Sequence, residues 1–122
     1  MKAKILVIED EAVLQKAMSD MLGEYEYESI QAIDGEQGLA LAGSEKPDLI
    51  LLDLVLPKKH GLEVLEELKG NEETKNIPVI VLTNLEEKED ISRAMELGAK
   101  SYLVKADYDI GEVIKRIDSA IG

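Results

Sequence analysis

The chain has 122 residues, 45% of them hydrophobic, which is enough for one domain with one sizeable core. Its formal net charge of −12 argues against nucleic acid and anionic membranes as direct partners, because both attract clusters of Lys and Arg. It contains no Cys, no signal-peptide pattern and no apolar run long enough to span a membrane, so we expect a cytoplasmic protein.

Apolar segments that predict β-strands alternate along the chain with amphipathic segments that predict helices. In chain order, the strands are predicted at residues 4–8, 27–32, 49–52, 79–82 and 101–104. The helices are predicted at residues 13–22, 35–44, 62–69, 86–97 and 110–121. No linker interrupts this alternation, so residues 1–122 are expected to form a single domain that includes no output domain.

Several helix ends carry local signals. Asp34 and Asp109 each stand three residues before a Gln or Glu, which is the spacing of a capping box. Gly23 and Gly98 follow the apolar pattern of their helices and are expected to end them. Helical spacing also predicts that the apolar residues Val13, Ala17, Met95 and Ile121 face the core.

The strict alternation predicts a three-layer α/β fold, with five parallel strands and helices on both faces, joined by right-handed crossovers. Residues 49–52 and 79–82 are apolar at every position, as expected for strands in the interior of such a sheet. The strand at 27–32 contains Glu28 and Gln31, which indicates an edge position. The predicted strand order is therefore 2-1-3-4-5, in which the first and third strands flank the switch point.

Polar side chains stand where four of the strands end. Glu9 and Asp10 follow the first strand, Asp53 the third, Thr83 the fourth and Lys105 the fifth. Open α/β sheets bind their ligands outside the carboxyl ends of the strands, so these five side chains are expected to converge. Two carboxylates about 4 Å apart repel by roughly 4 kcal/mol at an effective dielectric constant of about 20. Lys105 alone cannot neutralise the three carboxylates, so we expect a further cation to bind among them. Oxygen ligands without His or Cys favour Mg²⁺, with Mn²⁺ as a substitute.

The predicted cluster suits the transfer of a phosphoryl group. A carboxylate beside Mg²⁺ and a lysine can accept that group as an acyl phosphate, which makes Asp53 the candidate acceptor. Lys105 would stabilise charge on the transferring oxygens, and Thr83 would donate a hydrogen bond to the bound group. The chain has no glycine-rich phosphate loop, so a nucleotide is not expected as the donor.

The same residues also have purely structural interpretations. Asp10 suits the N-cap of the first helix, Thr83 the end of a strand, and Lys105 a surface charge. Tyr102 suits packing on an edge strand, and His60 suits a solvated loop near the mouth of the site. The shared location of the polar residues favours the functional interpretation.

Taken together, the motifs resemble the response regulator receiver domains of two-component signalling, from the first strand to the last helix. The residues that carry the resemblance are the acidic pair Glu9 and Asp10, the phosphoacceptor Asp53, Pro57 and Gly61 after it, the switch residues Thr83 and Tyr102, and Lys105. The resemblance implies a flavodoxin-like fold and a phosphohistidine donor on a histidine kinase or histidine phosphotransfer protein. It further implies that the domain is not an enzyme with a separate substrate, but catalyses only its own phosphorylation and dephosphorylation.

The resemblance also implies a ligand set and an output surface. Mg²⁺ would be held by Asp10, Asp53 and the backbone carbonyl of Val55, and through water by Glu9. Phosphorylation would draw in Thr83 and let Tyr102 turn inward, which changes how the face of the fourth helix, fifth strand and fifth helix binds an unknown downstream protein. The chain would then be either a stand-alone regulator or the receiver part of a longer protein.

Two departures from the family pattern support an alternative, a pseudo-receiver that binds partners without control by phosphorylation. Asn84 stands where a small residue is usual, and Ala106 replaces the usual proline, so a trans Lys105–Ala106 bond is expected. An enzyme of the haloacid-dehalogenase type, which also uses an Asp nucleophile and Mg²⁺, is disfavoured, because Val55 stands where that family has a second Asp and no cap domain is expected.

Overall fold

The computed structural model describes residues 3–56, 59–83, 88–105 and 109–121. The strands are β1 Lys4–Ile8, β2 Glu28–Ala32, β3 Leu49–Asp53, β4 Val79–Thr83 and β5 Ser101–Val104. The helices are α1 Ala12–Glu24, α2 Gly35–Glu45, α3 Gly61–Gly70, α4 Lys88–Glu96 and α5 Ile110–Ile121. All ten predicted elements are present, although the first two residues of the helix predicted at 86–97 lie outside the described residues.

The five strands form one parallel sheet in the order β2-β1-β3-β4-β5, which confirms the predicted topology. β2 lies at an edge, and its Glu28 and Gln31 are exposed as their polarity predicts. The register pairs Ile8 with Leu52 and Asp53 with Leu82. The carboxyl ends of β1, β3 and β4 therefore meet at one edge of the sheet.

Alternate residues of the central strands enter two separate cores, because successive side chains of a strand point to opposite faces. The core under α2, α3 and α4 includes Leu6, Ile8, Ile50, Leu52, Val79, Val81, Val64, Leu65, Leu68 and Ala94. The core under α1 and α5 includes Ile5, Val7, Leu49, Leu51, Ile80, Leu82, Met18, Leu22, Val113 and Ile117. Burial on both faces explains why β1, β3 and β4 are apolar at nearly every position.

The prediction that Val13 and Ala17 face the core was wrong. Val13 is 84% exposed and Ala17 is also exposed, whereas the amide side chain of Gln15 is buried in their place. With 3.6 residues per turn, Val13 and Ala17 lie on the side of α1 opposite the buried Gln15 and Leu22, so they face solvent. The predicted burial of Met95 and Ile121 was wrong as well, since both are exposed.

Three helix ends match their predicted signals. The Asp34 carboxylate accepts a hydrogen bond from the Gln37 N–H at 2.8 Å, and Asp109 caps α5 in the same way. Gly98 has a φ of 108°, and the N–H groups of Gly98 and Ala99 donate to the carbonyls of Met95 and Ala94. This is a Schellman ending, in which the left-handed position favours glycine.

The end of α1 differs from the prediction, because the helix continues through Gly23 to Glu24. The N–H groups of Glu26 and Tyr27 donate to the carbonyls of Gly23 and Leu22, so the same Schellman pattern forms three residues later. Glu26 occupies its left-handed position with a φ of 66°. An L-residue with a Cβ is strained there.

Replacing Glu26 with glycine should stabilise the protein by about 0.5–1 kcal/mol, because relief of the left-handed strain exceeds the extra chain entropy of glycine. Urea denaturation followed by circular dichroism measures the effect. Glu24→Gly is the matched control, since Glu24 is an exposed helical residue where glycine should destabilise by a similar amount. A Glu26→Gly midpoint at or below that of the wild type would contradict the strain argument.

Candidate functional site

The Asp53 carboxylate is the centre of the site. It ends β3 at the middle of the carboxyl edge and is 1% exposed. Its Oδ1 accepts a hydrogen bond from the Val55 N–H at 3.1 Å, and its Oδ2 accepts one from the Lys105 ammonium at 2.8 Å. A buried carboxylate is costly without such partners, so these two contacts make this position tenable.

The loop after Asp53 depends on Gly61. The Gly61 N–H donates to the Leu54 carbonyl at 2.8 Å, which brings the start of α3 against the end of β3. A Cβ on Gly61 would lie 2.5 Å from the Asp53 carbonyl oxygen and closer still to the Leu54 Cα. Glycine is therefore required because the two backbones touch.

Two further carboxylates come from the end of β1. Glu9 is fully buried, and its Oε2 accepts a hydrogen bond from the Glu11 N–H at 3.0 Å. Asp10 is exposed, and α1 has Glu11 rather than Asp10 as its N-cap residue, so the capping interpretation of Asp10 was wrong. One oxygen from each of Glu9, Asp10 and Asp53 lies within 4.8 Å of the others. The structure thus brings the three predicted carboxylates together.

Lys105 is the cation of this group. Its backbone N–H donates to the Thr83 carbonyl at 2.8 Å, which ties the turn after β5 to the end of β4. Its ammonium lies 2.8 Å from Asp53, 3.1 Å from Glu9 and 3.2 Å from Glu11. Partial burial by itself lowers the pKa of Lys105, but its hydrogen bond to Asp53 and the charges of Asp53 and Glu9 outweigh this effect and raise that pKa.

Sequence reasoning did not assign a role to Glu11, although it stands next to the acidic pair. Its side chain is mostly exposed and reaches the same ammonium as Asp53 does. The one available signal was the run of three acidic residues at the end of β1, which does not say which of them face the lysine.

Thr83 and Tyr102 occupy different environments. Thr83 is buried at the end of β4, one residue beyond the partner of Asp53 in the register. The Tyr102 ring is 39% exposed on β5, and the Arg116 guanidinium lies 5.9 Å from its centroid. Arg116 also donates to the Tyr102 carbonyl at 3.0 Å, a contact that sequence reasoning missed. In this structure Tyr102 is turned outward against α5.

His60 was predicted to be a solvated loop residue, but its side chain caps a helix. Its Nδ1 accepts a hydrogen bond from the Leu62 N–H at 3.1 Å, so His60 caps α3. Its Nε2 lies 3.7 Å from Asp90 on α4. Three other predictions concern Pro57, Asn84 and Ala106, the last with its trans peptide bond, and these residues lie outside the described part of the chain.

The acidic group carries an excess of negative charge that a cation would relieve. Burial raises the pKa of Glu9 to about 7 and the charge of Asp53 adds to this, against the effects of the Glu11 N–H and Lys105. The buried Oε1 of Glu9 accepts no hydrogen bond from any residue that the structure describes, because Lys105 faces it without hydrogen-bond geometry. Clustered carboxylate oxygens with one unsatisfied buried atom fit a hard divalent cation such as Mg²⁺.

The strand order and the acidic pocket at the carboxyl edge define a signalling domain of the receiver type. The chain belongs to the response regulator receiver domain family, whose sequence profile matches residues 5–118. Within the described residues, no helix combines the length and apolar character needed to cross a bilayer.

Several known proteins are similar to the chain. It is 38% identical over 125 residues to a probable transcriptional regulator of Porphyridium aerugineum and 40% identical over 114 residues to the DNA-binding transcriptional regulator RpaA of Synechocystis. These alignments cover 98% and 93% of the chain but 51% and 47% of the relatives, so the chain spans about half their length. The response regulator DivK of Brucella anthropi is 34% identical, with 100% of this chain and 98% of DivK aligned.

Solved structures agree with the fold. The receiver domain of a Pseudomonas aeruginosa sensor histidine kinase, which holds a magnesium ion in its active-site cleft, has a TM-score of 0.91 at 28% identity, with 100% and 99% of the two chains covered. A Vibrio cholerae chemotaxis response regulator has a TM-score of 0.90 at 26% identity, with 98% and 99% covered.

The Glu9→Gln variant should change how stability depends on pH in metal-free buffer. The pKa of Glu9 is raised from its ordinary 4.5 to about 7, so its contribution to stability is complete below pH 4.5 and is lost as the pH rises through 7. Glutamine stays neutral at both pH values. The free energy of unfolding of Glu9→Gln should therefore exceed that of the wild type by on the order of 2 kcal/mol at pH 8 and equal it near pH 4.5.

Urea denaturation at both pH values in the presence of a chelator measures this difference. Glu28→Gln is the control, because Glu28 is exposed at the sheet edge, far from the acidic pocket. If the free energies of unfolding of Glu9→Gln and wild type differ by the same amount at pH 4.5 and pH 8, the pKa of Glu9 is not raised in the folded protein.

Proposed function

We propose that this receiver domain is a Mg²⁺-dependent switch that accepts a phosphoryl group on Asp53 from a phosphohistidine. The observation that carries the proposal is the buried Asp53 carboxylate, held between the Val55 N–H and the Lys105 ammonium beside two further carboxylates. The donor is a histidine kinase or a histidine phosphotransfer protein, as in the family to which the chain belongs.

The transfer breaks the P–N bond of the donor and forms a P–O bond to an Asp53 oxygen, which yields an acyl phosphate and releases the imidazole. A carboxylate oxygen attacks without losing a proton, so no general base is required. The Lys105 ammonium, 2.8 Å from Oδ2, is in position to stabilise charge on the transferring oxygens. The Thr83 hydroxyl would then hydrogen-bond the bound phosphoryl group.

Asp10 and Asp53 would hold Mg²⁺, together with the Val55 carbonyl and with Glu9 through water. The bound ion would neutralise charge between the carboxylates and the phosphoryl oxygens. The clustered carboxylate oxygens and the unsatisfied Glu9 Oε1 support this assignment. The domain then catalyses only its own phosphorylation and dephosphorylation, and it is not an enzyme with a separate substrate.

The output would pass through Thr83 and Tyr102 to the face formed by α4, β5 and α5. The Tyr102 ring is turned outward and its centroid lies 5.9 Å from the Arg116 guanidinium, so inward rotation of the ring must break this contact. A phosphoryl group favours the inward state only through contacts that differ between the two states, and a Thr83 hydrogen bond is one of them. A downstream protein that binds one state of this face would read the signal.

Incubation with a small phosphodonor and Mg²⁺ should add about 80 Da to the wild-type mass, the increment of one phosphoryl group. Asp53→Asn should show no adduct, because the acceptor oxygen is replaced by an amide. Prompt intact-protein mass spectrometry from mildly acidic solution, in which acyl phosphates hydrolyse slowly, gives the measurement. Asp20→Asn, which changes an exposed Asp on α1, is the control and should gain the same mass. An adduct that persists in Asp53→Asn would overturn the assignment, and a wild type without any adduct would favour the pseudo-receiver.

Millimolar Mg²⁺ should raise the melting temperature of the wild type, because it binds the folded acidic pocket and not the unfolded chain. Asp10→Asn should lose most of this increase. Asp10 is exposed, so its substitution should leave the fold intact. Scanning fluorimetry with and without a chelator compares the two proteins with Asp20→Asn. Equal increases in all three would mean that Asp10 does not ligate the ion.

Thr83→Ala should separate phosphorylation from its readout. The variant should still acquire the phosphoryl mass, because Asp53 and Lys105 are unchanged. The Tyr102 ring resonances should shift on phosphorylation in the wild type and shift much less in Thr83→Ala, since the hydrogen bond that favours the inward state is missing. Equal shifts in both proteins would show that Thr83 does not couple the site to Tyr102.

A further inference from the structure

We propose that Gln15 of α1 is a positioning residue that holds the acidic pair in place for the divalent cation. The inference rests on the proposed function, since it concerns the same metal site. Gln15 is not a member of the carboxylate cluster, and its action would run entirely through the backbone of β1.

The Gln15 side chain lies between the ends of two neighbouring strands. Its amide nitrogen donates one hydrogen bond to the Glu9 carbonyl at 3.2 Å and another to the Ala32 carbonyl at 3.0 Å. The Glu9 N–H donates to the same Ala32 carbonyl at 3.0 Å. Both hydrogens of the amide are therefore used, and they fasten the end of β1 to the end of β2 and to α1.

The burial of this amide is unusual for its place in the helix. Gln15 is 8% exposed and shares its side of α1 with Met18 and Leu22, where an apolar side chain would avoid the cost of desolvating an amide. The buried polar residues among those described are Glu9, Gln15, Asp53, Thr74 and Thr83. Glu9, Asp53 and Thr83 stand at the carboxyl edge of the sheet, and Gln15 reaches that edge from α1.

The peptide whose carbonyl Gln15 holds is the one that joins Glu9 to Asp10. Rotation of this peptide moves the Cα of Asp10 and redirects its carboxylate relative to Asp53. The three carboxylates lie within 4.8 Å of one another although their charges repel, so the backbone has to resist their separation. The two hydrogen bonds of Gln15 supply that resistance, in the way that outer hydrogen bonds orient the ligands of other metal sites.

The test compares Gln15→Met with Thr74→Val. Methionine keeps the length and volume of glutamine but removes both donors, so we expect the dissociation constant for Mg²⁺ to rise about tenfold, at the lower end of what losing an orienting partner typically costs. Thr74 is also buried, and its hydroxyl donates to the Leu68 carbonyl at 2.7 Å, away from the carboxyl edge. Thr74→Val should lose stability but bind Mg²⁺ as the wild type does.

Isothermal titration calorimetry with MgCl₂ gives the affinities, at a temperature where circular dichroism shows each variant to be folded. Gln15→Asn, whose shorter arm cannot span both carbonyls, should weaken binding by a smaller factor and carries the test if Gln15→Met does not fold. Wild-type affinity in the Gln15 variants, or an equal loss in Thr74→Val, would overturn the inference alone. A wild type that binds no Mg²⁺ would instead overturn the proposed metal site on which the inference rests.

Discussion

The contact between the Lys105 ammonium and its carboxylates is the constraint on which the rest of the structure depends. One cation from the turn after β5 meets Asp53 from β3 and Glu9 and Glu11 from the region after β1. A single positive charge cannot balance these carboxylates and Asp10 as well, so the pocket keeps a negative charge that favours a divalent cation. Burial raises the pKa of Glu9, and the charge of Asp53 adds to this effect.

Backbone contacts place Lys105 and the carboxylates where this contact can form. The parallel register brings the ends of β1, β3 and β4 to one edge. The close approach of Gly61 to Leu54 sets the loop after Asp53, and the Lys105 N–H joins the turn after β5 to the end of β4. The apolar cores, one on each face of the sheet, stabilise the fold and so offset the repulsion between the carboxylates.

Local signals were most reliable where one residue type has one physical role. Asp34, Asp109 and Gly98 all stand where their spacing predicts, because caps and left-handed turns depend on near neighbours in the chain. The end of α1 was mispredicted because Gly23 carries the glycine signal while Glu26 takes the left-handed φ. Val13 was misassigned and Gln15 was overlooked, because polarity alone does not reveal that a buried amide can donate to two backbone carbonyls.

The sequence by itself determined the alternation of elements, the strand order and the polar residues that end four of the strands, because these follow from the periodicity of the apolar residues and from the geometry of parallel sheets. Only the tertiary structure decided which oxygens face Lys105, that Glu11 joins Asp53 and Glu9 there, and that Arg116 lies against Tyr102. These contacts join residues as much as 94 positions apart, and their distances depend on side-chain torsions and packing that no local pattern encodes.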